Sequence, residues 1–135
     1  MEVIVTDHRK LSAYVSRFAL TAILTLGVWP SGVAAQVSFK EDVFPIIELR
    51  CLECHQPGGI GYKKSGLDLR THEGLMKGTK YGQVVVPRSW LESSLNAVID
   101  RRTSPEIWMP HKKKQLSKCE RLTLRHWVMQ GARNN

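Results

Sequence analysis

The 135-residue chain is long enough for one small domain, and its hydrophobic content of 42% is that of an ordinary globular protein. Its 20 Lys and Arg against 12 Asp and Glu give a formal charge of +8, which favours acidic partners such as nucleic acid, anionic lipid or an acidic protein surface. Three cysteines are too few for a disulfide scaffold, and no apolar run is long enough to span a membrane, so multidomain enzymes, integral membrane proteins and coiled coils are disfavoured.

Residues 1–35 are organised as a secretory signal peptide. A basic leader precedes an uncharged, mostly apolar run at 18–29, which Pro30 breaks before small residues that extend to Ala35. We therefore expect cleavage after Ala35, export to the bacterial periplasm or an equivalent oxidising compartment, and a mature domain at 36–135. Cleavage removes three basic and two acidic side chains and leaves a formal charge of +7. The alternative is that residues 18–29 remain as an uncleaved membrane anchor.

The start of the mature domain predicts a helix. Ser38 and Glu41 form a candidate capping box, so this helix is expected to begin at Phe39. Pro45 lies inside the pattern and marks either a kink or the true start of the helix. The expected apolar side consists of Val43, Phe44, Ile46, Ile47 and Leu49.

Long loops and short helices are expected in the middle of the domain. Residues 56–88 predict loops and turns around one short helix near 73–77, since they are rich in Gly and Lys. Apolar residues at helical spacing predict a further helix at 92–99, and a loop at 101–114 follows it.

The last helix is predicted at 118–130. Ser117 and Glu120 form a second capping box before it, and Gly131 follows it as the residue that ends the helix. No segment alternates as a strand does, so the predicted fold class is all-α with long loops. A domain of this size needs a bound group to order such loops.

The run CLECH at residues 51–55 carries the chemistry. Cys51 and Cys54 lie three residues apart, so on a helical turn both thiols project to one side and can add to the two vinyl groups of one porphyrin. The adjacent His55 then presents its imidazole to the iron, and this spacing is that of c-type haem attachment. Two alternatives remain open: a zinc site completed by Cys119 or another histidine, and a disulfide or redox-active cysteine pair.

Met109 is the best candidate for the sixth iron ligand. It precedes Pro110, which holds it in an extended conformation able to lay the thioether across a haem, and such a ligand raises the reduction potential. His111 is the main rival, and an open distal site is a further alternative. The weaker candidates are His72 and His126, and we expect Met76 and Met129 to fill the core.

These motifs resemble the mono-haem class I c-type cytochromes, and more narrowly the small periplasmic cytochrome c domain first noted in planctomycete proteins. The shared pattern covers nearly all of residues 37–132. Its motifs are Phe39, Val43-x-Pro45-Ile46, Cys51-x-x-Cys54-His55, Ser65-Gly66-Leu67-x-Leu69-Arg70, Gly74-Leu75-x-x-Gly78, Val85-x-Pro87, Ser93-x-Leu95, Met109-Pro110, Leu116-Ser117 and Trp127-Val128-x-x-Gly131-Ala132. The sequence departs from the family pattern at Arg88, Trp90 and His111.

The resemblance implies a class I cytochrome c fold, with the N- and C-terminal helices packed around one covalently bound haem c that His55 and Met109 ligate. The side chains that it places around the haem and in the core are Val43, Ile46, Ile47, Leu67, Leu69, Leu95, Ile99, Leu124 and Trp127. Arg70 and Trp108 are candidates to bind a haem propionate. Cys119 is expected on the flank of the last helix, as an inert thiol or as a contact with a partner.

The function predicted from these residues is that of a periplasmic carrier of single electrons rather than an enzyme. Lys112, Lys113 and Lys114 follow Met109, so they form either a solvated face or a docking surface for an acidic redox partner. Nucleic acid is a poor partner for an exported protein without a nucleic-acid-binding motif. The alternatives are a haem peroxidase or ligand-binding sensor with an open distal site, and a cytochrome subunit tightly bound to a dehydrogenase or oxidase.

Overall fold

Short helices joined by long loops make up residues 35–135, the part of the chain that the computed structural model describes. The predicted signal segment, apart from Ala35, lies outside these residues. The helices are a π-helical turn at Phe39–Val43 that continues into α1 (Phe44–Arg50), then α2 (Ile60–Ser65), α3 (His72–Lys77), α4 (Ser94–Ile99), a 3₁₀ turn at Pro105–Ile107 and α5 (Lys118–Met129). Two isolated bridges are the only extended pairings in this range, so the all-α class is confirmed there. Within the same range, no helix is long and apolar enough to cross a membrane.

The first helix begins where the sequence predicts it, but its cap closes differently. The Ser38 hydroxyl accepts a hydrogen bond from the Glu41 N–H at 3.1 Å, as expected. The Ser38 N–H donates to the Asp42 carboxylate at 2.8 Å and not to Glu41. The first turn is π-helical and therefore wider, which brings the side chain one residue further along into reach of the cap.

Pro45 lies in the first turn of α1, directly after the π-helical turn. A proline costs little there, because the N–H that it lacks belongs to a first turn. Val43 and Ile47 are buried as predicted, whereas Leu49 is 80% exposed and does not belong to the apolar side.

The C-terminal helix matches its prediction to within one residue. Ser117 and Glu120 form both hydrogen bonds of a capping box, and Gly131 adopts a φ of +105° that favours glycine. Burial acts to raise the pKa of Glu120, but the hydrogen bonds of Ser117 and the charge of Arg50 outweigh it and hold that pKa below its usual value. The Arg50 guanidinium lies 3.8 Å from the Glu120 carboxylate and links α1 to α5.

The two ends of the described chain meet. The centre of the Phe39 ring lies 5.6 Å from that of the Trp127 ring on α5 and 5.0 Å from that of the His72 ring. His72 Nε2 in turn lies 2.7 Å from the Ala132 carbonyl oxygen. The Lys40 N–H donates to the carbonyl of Asn135 at 3.0 Å. The N-terminal helical segment thus packs along the C-terminal helix, and the buried apolar core lies between them and the middle segments. The buried hydrophobic residues are Phe39, Val43, Ile47, Leu67, Leu69, Leu75, Val85, Ile99, Leu116, Leu124, Trp127, Val128 and Ala132.

Two predicted helices in the middle of the chain are found with small changes, and one helix was missed. The helix expected near 73–77 is α3, and the helix expected at 92–99 begins at Ser94, since the buried Ser93 side chain bonds the Val86 backbone and the Ser89 carbonyl instead of continuing the helix. The segment Ile60–Ser65 was expected to be a loop but is helical. The prediction for Met129 is also wrong, because its side chain is 49% exposed.

Candidate functional site

Residues Cys51–His55 follow α1 and form a turn that backbone hydrogen bonds hold in place. The Cys51 N–H still bonds the Ile47 carbonyl at 2.8 Å, and the N–H groups of Cys54 and His55 both bond the Cys51 carbonyl at 3.1 Å. Both thiols are free and half-buried. The turn therefore holds two thiols and an imidazole within one short hydrogen-bonded segment.

The chemistry of Cys51 argues against a redox-active thiol pair. Burial raises the pKa of the Cys51 thiol to about 11, and the charge of Arg50 only partly opposes this. A reactive Cys-x-x-Cys pair needs a thiol pKa that is lowered, because the thiolate is the nucleophile. Cys51 therefore lacks the lowered thiol pKa that is typical of redox-active pairs.

His55 has the properties of a metal ligand. Burial lowers its pKa, with the Leu67 backbone acting in the opposite direction, so the imidazole is neutral at neutral pH and able to ligate. The Nδ1 atom is buried and makes no hydrogen bond with the protein. The Leu69 N–H donates to the His55 carbonyl at 2.9 Å, which fixes the backbone of the histidine against the segment that follows α2.

Gly61 is a residue of the site that the sequence interpretation missed. A Cβ at this position would lie 2.8 Å from His55 Cε1 and 2.9 Å from the Cys54 carbonyl oxygen, closer than real Cβ contacts. The first turn of α2 thus packs directly on the imidazole, and only glycine leaves room for it. Two glycines separated by a single residue, Gly59 and Gly61, follow the CLECH run and could have indicated this close approach of the backbone.

Met109 lies on a loop that is fastened to the Cys51–His55 turn. Its N–H donates to the Val98 carbonyl of α4 at 3.2 Å, and its half-buried side chain packs against the core. The Arg50 guanidinium donates to the Lys114 carbonyl at 2.9 Å, and the Lys113 ammonium pairs with the Glu53 carboxylate.

Arg50 immediately precedes Cys51 and Glu53 lies within the Cys51–His55 turn, so both contacts begin at this turn or at the residue before it. Met109 and Lys113 are four residues apart, and four residues of extended chain span at most about 14 Å. The Cα atoms of Met109 and Lys113 therefore lie no further apart than this distance.

His111 is poorly placed to replace Met109. Its side chain is exposed and lines a surface cavity of about 470 Å³, together with Arg101, Trp108 and Lys112. Neither Met109 nor any residue of the Cys51–His55 turn lines this cavity. The two neighbouring candidates therefore lie in different surroundings, Met109 against the core and His111 at the surface.

The other predicted site residues have different roles. His72 is engaged with Ala132, and His126 is exposed on α5. The indole N–H of Trp108 donates to the Thr103 carbonyl at 2.8 Å, and the Arg70 guanidinium pairs with Asp68 at 2.7 Å. The indole N–H of Trp108 is thus already bonded within the protein, and Arg70 takes part in an exposed ion pair.

A zinc site finds no support in the geometry. Across residues 35–135, no three His, Cys, Asp or Glu side chains come together in a group that could hold a metal ion. Cys119, the proposed fourth ligand, is an exposed thiol near the start of α5.

Comparison with known families adds one observation. A family model described as planctomycete cytochrome C matches residues 51–112, from the first cysteine of the CLECH run to the lysine that follows His111. The expected resemblance to this family is confirmed over that segment, and the similarity supports covalently bound haem c and an electron-transfer role. No curated protein and no solved structure matches the chain.

The residues of this matched segment fit a covalently bound haem. Two free thiols share one turn, and the imidazole beside them is neutral with a nitrogen that has no protein partner. A thioether lies on the loop fastened to that turn. The match spans Cys51, Cys54, His55 and Met109 but neither α1 nor α5, so the packing of the terminal helices is an observation of the structure alone.

We expect Gly61→Ala to displace the His55 imidazole specifically. The added methyl group would displace the imidazole, since its nearest neighbours are His55 Cε1 and the Cys54 carbonyl. Overpacking of this kind destabilises a fold by roughly 1–3 kcal/mol. Paramagnetic NMR of the oxidised protein should show shifted histidine resonances, and the reduction potential should change. Lys64→Ala, an exposed change on the same helix, is the control; identical spectra for both variants would contradict the assignment.

Proposed function

We propose that the chain is an exported, periplasmic electron carrier with one haem. Cys51 and Cys54 would hold the porphyrin through two thioether bonds, and His55 and Met109 would ligate its iron. When bound, haem iron supplies a one-electron redox couple. The main support for this proposal is that a hydrogen bond from Arg50 and an ion pair with Glu53 hold the Met109 loop against the Cys51–His55 turn.

The protein's contribution to this function is to exclude water and to fix the ligands. Half-buried apolar side chains pack against the same core as Cys51 and Met109, among them Leu52, Leu95 and Val98. Keeping water from an iron–thioether bond raises the reduction potential and prevents other ligands from reaching the metal. The bond from the Met109 N–H to the Val98 carbonyl ties the ligand backbone to α4, so the thioether is held in place rather than carried on a free loop.

Two other functions remain as alternatives. A haem peroxidase or ligand-binding sensor requires an open distal position, and the packing of Met109 against the core disfavours it. A cytochrome subunit tightly bound to a dehydrogenase or oxidase uses the same ligands but keeps a permanent partner. The two are distinguished by the reactivity of the iron and by the assembly in which the protein is purified.

Covalent attachment is tested by mass. The mature protein should have the mass of the chain from Gln36 plus one haem, because both cysteines of the turn form thioether bonds. A single change of Cys54→Ser should leave one bond, and Cys119→Ser should leave the haem content unchanged. Haem that acid acetone extracts from the unmodified protein would contradict the proposal, and a mass that begins at Met1 would contradict cleavage.

The ligand assignment is tested by a matched pair of variants in one loop. Met109→Ala should abolish the sulfur-to-iron charge-transfer absorption of the oxidised protein, lower the reduction potential and allow carbon monoxide to bind the reduced iron. His111→Ala should leave all three properties unchanged, since His111 is exposed. The reverse result would show bis-histidine ligation, and carbon monoxide binding by the unmodified protein would favour the sensor.

The lysines beside Met109 are proposed to guide an acidic redox partner. Lys112, Lys113 and Lys114 are all exposed, and Lys113 is paired with Glu53. This ion pair holds the positive charge of Lys113 next to the Cys51–His55 turn, but the Glu53 carboxylate neutralises that charge. Lys112 and Lys114 therefore contribute most of the field that attracts an anion to this edge of the protein.

Stopped-flow oxidation by ferricyanide measures this field without a known partner. Changing all three lysines to glutamine should slow oxidation of the reduced protein by roughly tenfold at low ionic strength, because attraction of the anion is lost, and should flatten the dependence on salt. A control variant removes the same charge elsewhere, at the exposed Lys40, Lys77 and Lys80. If the two triple variants slow oxidation equally, Lys112, Lys113 and Lys114 have no special role in attracting the anion and are an ordinary solvated surface.

A further inference from the structure

Three arginines converge on one carboxylate on the surface formed by α4 and α5. Asp100, which follows α4 and whose side chain is only 9% exposed, lies 2.9 Å from Arg125, 3.2 Å from Arg121 and 3.9 Å from Arg102. Arg121 and Arg125 are one helical turn apart on α5, so they point to the same side of that helix. The carboxylate holds α4 against α5.

Trp90 lies between two of these guanidinium groups. The Arg125 guanidinium carbon is 4.0 Å from the centre of the Trp90 ring, and that of Arg102 is 4.9 Å away. Arg102 also donates to the Trp90 carbonyl at 3.4 Å. The stacking holds both guanidinium groups in fixed positions, which lowers the entropy that an incoming acceptor would otherwise have to overcome.

This cluster has more positive charge and more donors than its partners satisfy. Three guanidinium groups share a single carboxylate, and Arg125 Nε is buried without any hydrogen-bond partner. The three arginine side chains are about one third exposed or less, so solvent screens their mutual repulsion only in part. A further carboxylate at this position would neutralise charge and accept the free N–H groups.

Exposed apolar side chains border the arginines. Leu91, the residue after Trp90, is 62% exposed, and Met129, one turn beyond Arg125 on α5, is 49% exposed. Tryptophan, arginine and methionine are enriched at the centres of protein interfaces, whereas a site for a small anion needs no apolar border. The combination favours a protein surface over free phosphate.

We propose that the arginine face, defined as Trp90, Leu91, Arg102, Arg121, Arg125 and Met129, binds an acidic segment of a partner protein. Carboxylates of that segment pair with the arginines, and its apolar side chains cover Leu91 and Met129. This face is separate in sequence from the lysines beside Met109, and the proposal goes beyond the electron-carrier function. It does not depend on which residue ligates the iron.

The test uses the haem-loaded protein and a synthetic helical peptide that carries Glu along one face and Leu beside it. In ¹⁵N NMR, the peptide should shift the Nε–H signals of Arg102 and Arg125 and the indole N–H signal of Trp90. The same peptide with Gln in place of Glu should not. Absence of shifts with the acidic peptide would overturn the proposal.

Two pairs of variants separate charge from apolar contact. Arg102→Gln should weaken binding by about tenfold, the value of one charge-assisted hydrogen bond, and it leaves Asp100 paired with two arginines. Arg70→Gln, which removes the same charge elsewhere, should have no effect. Leu91→Gln should weaken binding several-fold, whereas the equally exposed Ile60→Gln should not. Equal effects within either pair would contradict the assigned surface.

The nature of the partner is decided by two further probes. Inorganic phosphate and vesicles of phosphatidylglycerol should each shift the same arginine signals less than the peptide does at equal concentration of negative charge. A stronger response to either probe would overturn the assignment to a protein partner. Reduction potential and carbon monoxide binding should be unchanged in Arg102→Gln and Leu91→Gln, so a failure of this proposal is distinguishable from a failure of the electron-carrier function.

Discussion

Arg50 and Glu53 connect the two parts of the candidate site. Their side chains bind the loop that follows Met109, Arg50 from the residue before the Cys51–His55 turn and Glu53 from within it. Arg50 bonds the Lys114 carbonyl and faces Glu120 on α5, and Glu53 pairs with Lys113. Solvent screens an exposed ion pair such as Glu53–Lys113, so the stability of the domain does not depend on it. Its importance is geometric, since the two chain segments that carry the proposed iron ligands are otherwise separated by more than fifty residues of sequence.

The parts of the structure that the sequence predicted well are those that local chemistry determines. The capping box of Ser117 and Glu120 defines α5 because both hydrogen bonds lie within four residues. The CLECH run likewise forms a turn through hydrogen bonds between residues close in sequence. Leu49 and Met129 were wrongly placed in the core because a helical pattern does not reveal which side of a short helix meets the rest of the protein.

Other features could not be predicted because they depend on contacts between distant residues. The helix α2 has little apolar pattern of its own and is shaped by the close packing of Gly61 on His55. The arginine face brings together side chains from α5, from the end of α4 and from the preceding loop. The formal charge of +8 indicated an acidic partner, but the sequence alone did not separate flexible lysines near Met109 from arginines held rigidly against Trp90.

The hydrogen bond between the Lys40 N–H and the Asn135 carbonyl closes almost the whole domain into a single loop. Closing a loop of this length costs conformational entropy that a few hydrogen bonds alone do not offset, so the two ends can stay together only while the segments between them are folded. The amide proton of Lys40 can therefore be protected from exchange with solvent only while the domain is folded. Its exchange should be at least as fast as the opening of the segments around the Cys51–His55 turn, even though that turn lies more than ten residues away along the chain.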